Sequence, residues 1–217
     1  MARGRVERKL AAILAADVAG YSRLMGADEE GTHERLKAHL REVVDPKIKE
    51  HRGRTVKNTG DGMLSEFPSV VDAVHCAAEI QRAMIDRNAD ISEDKRISFR
   101  IGINLGDVIV EPEDIFGDSV NIAARLEALA EPGGICISRT VRDHIGERLS
   151  YSFEDIGEQS VKNIARPVHV YRIRLDAEAK AFPTVAPDAV QRSQLPLPDK
   201  PSVAVLPFTN MSADLEQ

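Results

Sequence analysis

The chain has few cysteines, no long apolar run and no excess of positive charge. Its two cysteines, Cys76 and Cys136, lie far apart without a CxxC pair, so we expect buried thiols in a reducing compartment. The longest apolar stretch, LAAILAA at 10–16, is too short to span a bilayer and lacks a signal-peptide pattern. A net charge of −6 argues against a broad nucleic-acid-binding face. We therefore expect a soluble cytoplasmic protein with no membrane segment.

Several common catalytic signatures are also missing. The sequence contains no GxxxxGK[ST] phosphate loop, no GxGxxG turn and no GxSxG nucleophile motif. In the segment HERLKAH, His33 and His39 are too widely spaced to share a helix face as an i, i+4 zinc pair does. P-loop, dinucleotide-binding, GxSxG hydrolase and HExxH metalloprotease functions are therefore not expected.

The first third of the chain predicts strands and helices in alternation. The segment LAAILAAD, which ends at Asp17, is typical of a buried central strand, although periodicity alone leaves a helix open. A helical stripe follows over 28–51, where Pro46 kinks or restarts the helix. The segment TVKNTGDGMLSEF at 55–67 predicts a hairpin, and a helix begins after Pro68 and Ser69.

The next part of the chain predicts a second hairpin and then mixed elements. The hairpin joins strands at 97–104 and 106–111 across an Asn-Leu-Gly-Asp turn. Later elements are a helix at 119–130, a strand at 134–138, a short helix at 139–146, and strands near 150–155 and 167–174. This order predicts an α+β fold, a ferredoxin-like sandwich with a mostly antiparallel sheet and flanking helices.

The amino-acid composition changes after Asp176. Six of the eleven prolines lie between 183 and 207, and 176–200 shows little periodicity, which is typical of a linker. The segment from 201 to 217 begins a new apolar strand that cannot form a domain alone. We therefore expect a domain at 1–175, a Pro/Ala-rich linker at 176–200 and the truncated start of a second domain at 201–217.

Two aspartates are candidate metal ligands. Asp17 ends an apolar strand, and Asp61 lies at the tip of the first predicted hairpin. Carboxylates at such places can meet a hard cation, and two of them from neighbouring strands could hold a pair of Mg²⁺ ions. The alternative is that Asp17 caps the following helix and Asp61 only satisfies the turn.

Three further residues have both an ordinary and a functional interpretation. Lys57 precedes the hairpin turn, where a lysine is usually a solvated side chain. Asn121 and Arg125 are four positions apart in DIFGDSVNIAAR, so on a helix they share a face. They could grip an anionic group, because arginine offers a planar fork to phosphate oxygens. The alternative is an ordinary exposed polar stripe.

Four segments occur in a specific order, namely ADVAGYSRL, VKNTGDGMLSEF, RIGINLGDVI and DIFGDSVNIAARLE. Together, over about residues 8–175, they resemble the catalytic domain of class III adenylate cyclases. In that family two domains associate head to tail and share each active site. The resemblance therefore implies a homodimer that converts ATP to cyclic AMP and pyrophosphate with two Mg²⁺ ions per site, which Mn²⁺ can replace.

The resemblance also assigns roles to individual residues: Asp17 and Asp61 bind the metals, Lys57 and Asp114 recognise adenine, Asn121 and Arg125 position the ribose and stabilise the transition state, and Lys162 contacts the triphosphate. One metal would activate the ribose 3′-hydroxyl and the other would neutralise the β- and γ-phosphates. Lysine can donate to N1 of adenine and aspartate can accept from its amine, whereas guanine presents the opposite groups, so ATP is the expected substrate.

Other functions stay open from sequence. A non-catalytic nucleotide-binding or dimerisation module would also carry this fold, and a guanylate cyclase would differ only in its substrate; a diguanylate cyclase is disfavoured because no GGDEF-like turn is present. The C-terminal segment SVAVLPFTNMSADLEQ resembles the opening of a TolB-like region that often precedes tetratricopeptide-type repeats in bacterial cyclases. That likeness predicts regulation from the C-terminal side.

Overall fold

One mixed sheet forms the centre of the domain. The structure is a computed structural model and describes residues 7–111, 114–160, 164 and 166–175. Its strands are β1 (Arg8–Val18), β2 (Arg54–Asn58), β3 (Gly62–Phe67), β4 (Phe99–Val110), β5 (Ile115–Phe116), β6 (Ile135–Ser138), β7 (Ser152–Gln159) and β8 (Val168–Arg174). They are arranged in the order β2-β3-β1-β4-β6-β8-β7, and β5 pairs with β4. Among these strands of the described residues only the β4–β6 pair is parallel, which confirms the expected α+β fold with a mostly antiparallel sheet.

Helices cover both faces of this sheet. They are α1 (Tyr21–Ala27), α2 (Glu29–His39), α3 (Asp45–Glu50), α4 (Val70–Asn88), α5 (Asp118–Leu129) and α6 (Arg139–Ile145). Side chains of β1 alternate between the two cores: Leu14 packs with the apolar residues of α4, whereas Ile13 packs with Ala123 of α5. Because both faces are covered, β1 reads in the sequence as a continuous apolar run.

The predicted second hairpin is wrong. Residues 99 to 110 form the single strand β4, which pairs with β1 without a break from Arg8–Ile109 to Val18–Phe99. The long partner strand offers hydrogen bonds along this whole length, so the Asn-Leu-Gly-Asp segment continues the ladder instead of turning. Gly106 allows α5 to lie close to β4, because a Cβ at this position would lie 2.1 Å from Oγ of Ser119 on α5.

Local signals placed the long helices well. The stripe at 28–51 forms α2 and α3, joined by a π-helical turn at Leu40–Val44, and Pro46 lies in the first turn of α3 as a restarted helix allows. Ser69 caps α4, since its Oγ accepts a hydrogen bond from the amide of Asp72 at 3.3 Å. Local patterns did not predict α1 or the two-residue strand β5 as separate elements.

Two other expectations concern the thiols and the chain termini. Cys76 and Cys136 are both free and buried, as predicted. Among the helices of the described segments, none is both long and apolar enough to cross a membrane. The predicted linker at 176–200 and the segment at 201–217, with its TolB-like resemblance, lie outside the described residues and stay predictions.

Candidate active site

The end of β1 and the tip of the β2–β3 hairpin lie side by side. Asp17 pairs with Gly62 in the β1–β3 register, and Asp61 immediately precedes Gly62. The amide of Val18 donates a hydrogen bond to the carbonyl oxygen of Asp61 at 3.0 Å. The structure thus brings together the two aspartates that sequence analysis proposed as metal ligands.

Arg100 contacts the first of these aspartates. It lies opposite Asp17 in the β1–β4 register, and its Nε donates to Oδ1 of Asp17 at 2.9 Å. Its Nη2 donates to Oδ2 of the same carboxylate, so the pair is bidentate. The hydrogen bonds to Asp17, and then the negative charge of that carboxylate, raise the pKa of the Arg100 guanidinium. Arg100 therefore holds the Asp17 carboxylate in a defined orientation at the end of β1.

Glu127 of α5 completes a cluster with these two residues. Its Oε1 lies 3.7 Å from Nη2 of Arg100, and its side chain is 15% exposed. Burial raises the pKa of Glu127 to about 8, and the negative charge of Asp17 adds to the effect. The approach of α5 depends on Gly102 of β4, where a Cβ would lie 2.1 Å from the amide nitrogen of Glu127.

Asp17 and Asp61 together offer carboxylate oxygens, the donors that Mg²⁺ prefers. Mg²⁺ is commonly held by one or two carboxylates, with phosphate and water oxygens filling its other positions. Within the described residues, no group of three or more His, Cys, Asp and Glu side chains comes together as a metal-holding set. The carboxylates of Asp17 and Asp61 would fit such a partial set, and a cation bound there would share the Asp17 oxygens with Arg100.

Lys57 and Asp114 contact each other through their side chains. Nζ of Lys57, on β2, donates to Oδ2 of Asp114 at 2.7 Å, although the residues are 57 positions apart. Oδ1 of Asp114 accepts from the amide of Ile115 at 2.8 Å. The hydrogen bond from Lys57 is the largest cause that lowers the pKa of Asp114. The two residues assigned to base recognition therefore form one unit, a donor beside an acceptor.

The two residues on α5 occupy adjacent turns of that helix. Asn121 is exposed and Arg125 is half-buried, whereas Ala123 and Leu126 are buried. Helix α5 begins after Gly117, whose φ of 139° favours glycine. Its packing on β4 and β1 fixes where Asn121 and Arg125 lie.

One predicted site residue lies outside the described residues, and two residues of the candidate site were not predicted. Lys162, assigned to the triphosphate, lies outside the described residues. Arg100 and Glu127 were not singled out in the sequence, although both lie inside quoted segments, RIGINLGDVI and DIFGDSVNIAARLE. The available signal was an arginine within an apolar strand, since a charge on a covered sheet needs a partner.

Comparisons with known proteins identify the family of this chain. Residues 7–174 match the family model for the adenylate and guanylate cyclase catalytic domain. A crystal structure of an adenylate/guanylate cyclase/hydrolase from Silicibacter pomeroyi is similar, with 51% identity and a TM-score of 0.74 over 78% of this chain and 98% of that one. The adenylyl cyclase CyaB from P. aeruginosa is similar at 26% identity and a TM-score of 0.70, over 78% of this chain and 96% of that one.

A longer relative matches the whole chain. It is a protein of Rhizobium meliloti (strain 1021) that carries the provisional name adenylate cyclase 3, and it is 50% identical over all 217 residues. This chain spans 36% of that protein, and 20% and 46% of two other curated relatives. The match over 7–174, together with these likenesses, shows that the chain belongs to the adenylate and guanylate cyclase catalytic-domain family.

Proposed function

We propose that this domain is an adenylate cyclase that converts ATP to cyclic AMP and pyrophosphate at two sites shared between the chains of a homodimer. The observation that carries the choice of ATP is the Lys57–Asp114 pair, whose Nζ and Oδ2 are 2.7 Å apart. A lysine donor beside a carboxylate acceptor matches N1 and the exocyclic amine of adenine. Guanine presents a donor and an acceptor in the reverse order, so it would leave both protein groups mismatched.

The metal-binding part of the proposed site consists of Asp17 and Asp61. Mg²⁺ bound there would supply activation of the ribose 3′-hydroxyl and neutralisation of phosphate charge. Arg100 orients the Asp17 carboxylate through two hydrogen bonds, and it adds positive charge next to the place proposed for the triphosphate. Its rigid guanidinium keeps that carboxylate in place before substrate binds.

Helix α5 supplies the residues proposed to act on the sugar and the α-phosphate. Asn121, exposed near the start of the helix, can donate to and accept from the ribose. Arg125 lies one turn later and can donate to the α-phosphoryl oxygens as negative charge develops on them. In the proposed homodimer these residues complete the site that holds Asp17 and Asp61 of the partner chain, so a two-fold interface gives two equivalent sites.

The test is a nucleotide assay across protein concentrations. The purified 217-residue chain is incubated with ATP or with GTP, each with Mg²⁺ or Mn²⁺, and cyclic AMP and cyclic GMP are separated and quantified. We expect cyclic AMP from ATP, little cyclic GMP from GTP, and specific activity that falls on dilution as dimers dissociate. Cyclic GMP as the main product would replace the proposal with a guanylate cyclase. No product from either nucleotide, with ATP still bound, would favour a binding module.

A further inference from the structure

Phe116 is a large apolar side chain that the fold leaves exposed. It is 43% exposed, and within the described residues only Leu10 and Ile85 share this behaviour among large hydrophobic residues. Its neighbour on β5, Ile115, is 1% exposed and packs in the core. Because side chains alternate along a strand, burial of Ile115 directs Phe116 to the opposite side. The exposure of Phe116 is therefore built into the placement of β5.

The Phe116 ring lies against the lysine of the proposed base site. Nζ of Lys57 is 5.9 Å from the ring centroid and 2.7 Å from Oδ2 of Asp114. An ammonium within about 6 Å of an aromatic centroid is attracted by the negative face of the ring. Lys57 is thus held from two sides, by a carboxylate and by an aromatic face. The Lys57 side chain is 41% exposed, so few other contacts restrain it.

The position of Phe116 in the chain joins the two halves of the proposed nucleotide site. It follows Asp114 by two residues and precedes Gly117, the residue before α5. The strand that presents Phe116 thus connects the base-recognition pair directly to the helix that carries Asn121.

We propose that Phe116 is a specificity-determining residue that positions the Lys57 ammonium for adenine. This inference rests on the proposed function, because it concerns the base site of that reaction. A lysine has four rotatable side-chain bonds and loses much rotamer freedom when it is fixed. The ring contributes the restraint that Asp114 alone lacks, and it keeps Nζ beside the carboxylate instead of swinging into solvent.

The consequence for base choice follows from hydrogen bonding. Lys57 donates a proton, so its correct placement helps a base with an acceptor at N1 and does not help one with a donor there. Loss of the ring should therefore weaken the binding of ATP more than the binding of GTP. Since a cation–π contact contributes modestly at exposed sites and more where it is desolvated, the expected effect is about two- to thirty-fold.

The first experiment compares two substitutions that differ in the ring. Phe116→Leu keeps an apolar side chain of similar length and removes the aromatic face, whereas Phe116→Tyr keeps that face. We expect Phe116→Leu to raise KM for ATP by about two- to thirty-fold with kcat little changed, and to lower the ATP-to-GTP preference by a similar factor. Phe116→Tyr should behave as the unsubstituted chain. Ile85→Ala, which trims another exposed apolar side chain (58% exposed) on α4, should leave the preference unchanged.

The second experiment asks whether the effect passes through Lys57. In a double-mutant cycle, Phe116→Leu should cost little further ATP affinity once Lys57→Met has removed the ammonium. The cycle is measured by equilibrium ATP binding as well as by turnover. If the unsubstituted chain forms no cyclic nucleotide, the proposed function fails while the binding cycle still tests the link between Phe116 and Lys57.

Three results would overturn the proposal. Equal behaviour of the Leu and Tyr variants would show that the aromatic face is not used. Full additivity with Lys57→Met would show that Phe116 acts independently of Lys57. Loss of dimer in Phe116→Leu, by sedimentation at working concentration, with an unchanged ATP-to-GTP preference, would make Phe116 an interface residue between copies.

Discussion

Arg100 and Asp17 lie directly opposite each other on β4 and β1, and the guanidinium donates hydrogen bonds to both oxygens of the carboxylate. Glu127 reaches the same guanidinium from α5, on one face of the sheet. A residue proposed to bind metal is therefore connected through one arginine to the helix proposed to contact ribose and phosphate.

The first prediction concerns the hairpin tip. Asp61→Ala should lower cyclic nucleotide formation by about two orders of magnitude or more, because a lost metal ligand removes several kcal/mol of charge stabilisation in the transition state. The fold should persist, since Asp61 contributes its backbone carbonyl, and not its carboxylate, to the bond with Val18. Product assay and circular dichroism measure the two effects. Asp90→Ala, at an exposed surface position, is the matched control; undiminished activity of the Asp61 variant would reject the metal assignment.

The second prediction concerns the arginine that joins Asp17 and Glu127. Arg100→Ala leaves the Asp17 carboxylate without its bidentate cation, so we expect the free energy of unfolding to fall by about 1.5–3 kcal/mol. Arg100→Lys keeps the charge and loses the bidentate geometry, so its free energy of unfolding should lie between those of the unsubstituted chain and Arg100→Ala. Urea denaturation measures both. The control is Arg139→Ala, which breaks an exposed i, i+4 pair with Asp143 and should cost at most about 0.5 kcal/mol. Equal losses at positions 100 and 139 would contradict a special role for Arg100.

The third prediction concerns pH. The pKa of Glu127 is raised to about 8 by burial and by the charge of Asp17, above the ordinary value of 4.5. Between these values the folded state holds a proton that the unfolded state has released. The contribution of Glu127 to the free energy of unfolding is therefore fully present below about pH 4.5 and is lost as pH rises towards 8. The slope is at most about 1.4 kcal/mol per pH unit. Urea midpoints of the unsubstituted chain and of Glu127→Gln, measured from pH 5 to 8.5 without divalent cations, should differ in this slope; parallel curves would refute the shift.

The fourth prediction concerns the packing of α5 on the sheet. In Gly102→Ala the new methyl group would lie 2.1 Å from the amide of Glu127 and 2.2 Å from the carbonyl oxygen of Ala123, both backbone atoms. The helix has to move away, at a cost of about 1–3 kcal/mol in stability, and Asn121 and Arg125 move with it. The midpoint temperature of thermal unfolding and the cyclase activity should both fall. Gly26→Ala is the matched control, because nothing lies within 4 Å of its Cβ position; a similar loss there would mean that helix packing is not the cause.

Local sequence patterns predicted the elements whose signals lie within the element itself. The apolar run of β1, the glycine-rich turn before Gly62 and the Ser69 cap of α4 each depend on neighbouring residues, and each prediction is confirmed. The ordered motifs predicted the family, which the match over 7–174 confirms. The roles of the site residues stay predictions, although the structure brings Lys57 to Asp114 and places Asp61 beside Asp17.

Tertiary structure decided the rest, and β4 is the clearest case. Its Asn-Leu-Gly-Asp segment has turn-forming residues, yet it stays extended because β1 pairs along its entire length, and its glycine admits Ser119. The contact of Arg100 with Asp17 joins positions 83 residues apart, and no local pattern indicates it. Backbone conformation responds to near neighbours, so the sequence by itself determined the long helices, the first hairpin and the family. Which side chains meet depends on sheet register and helix docking, and these are set only when distant segments of the chain pack together.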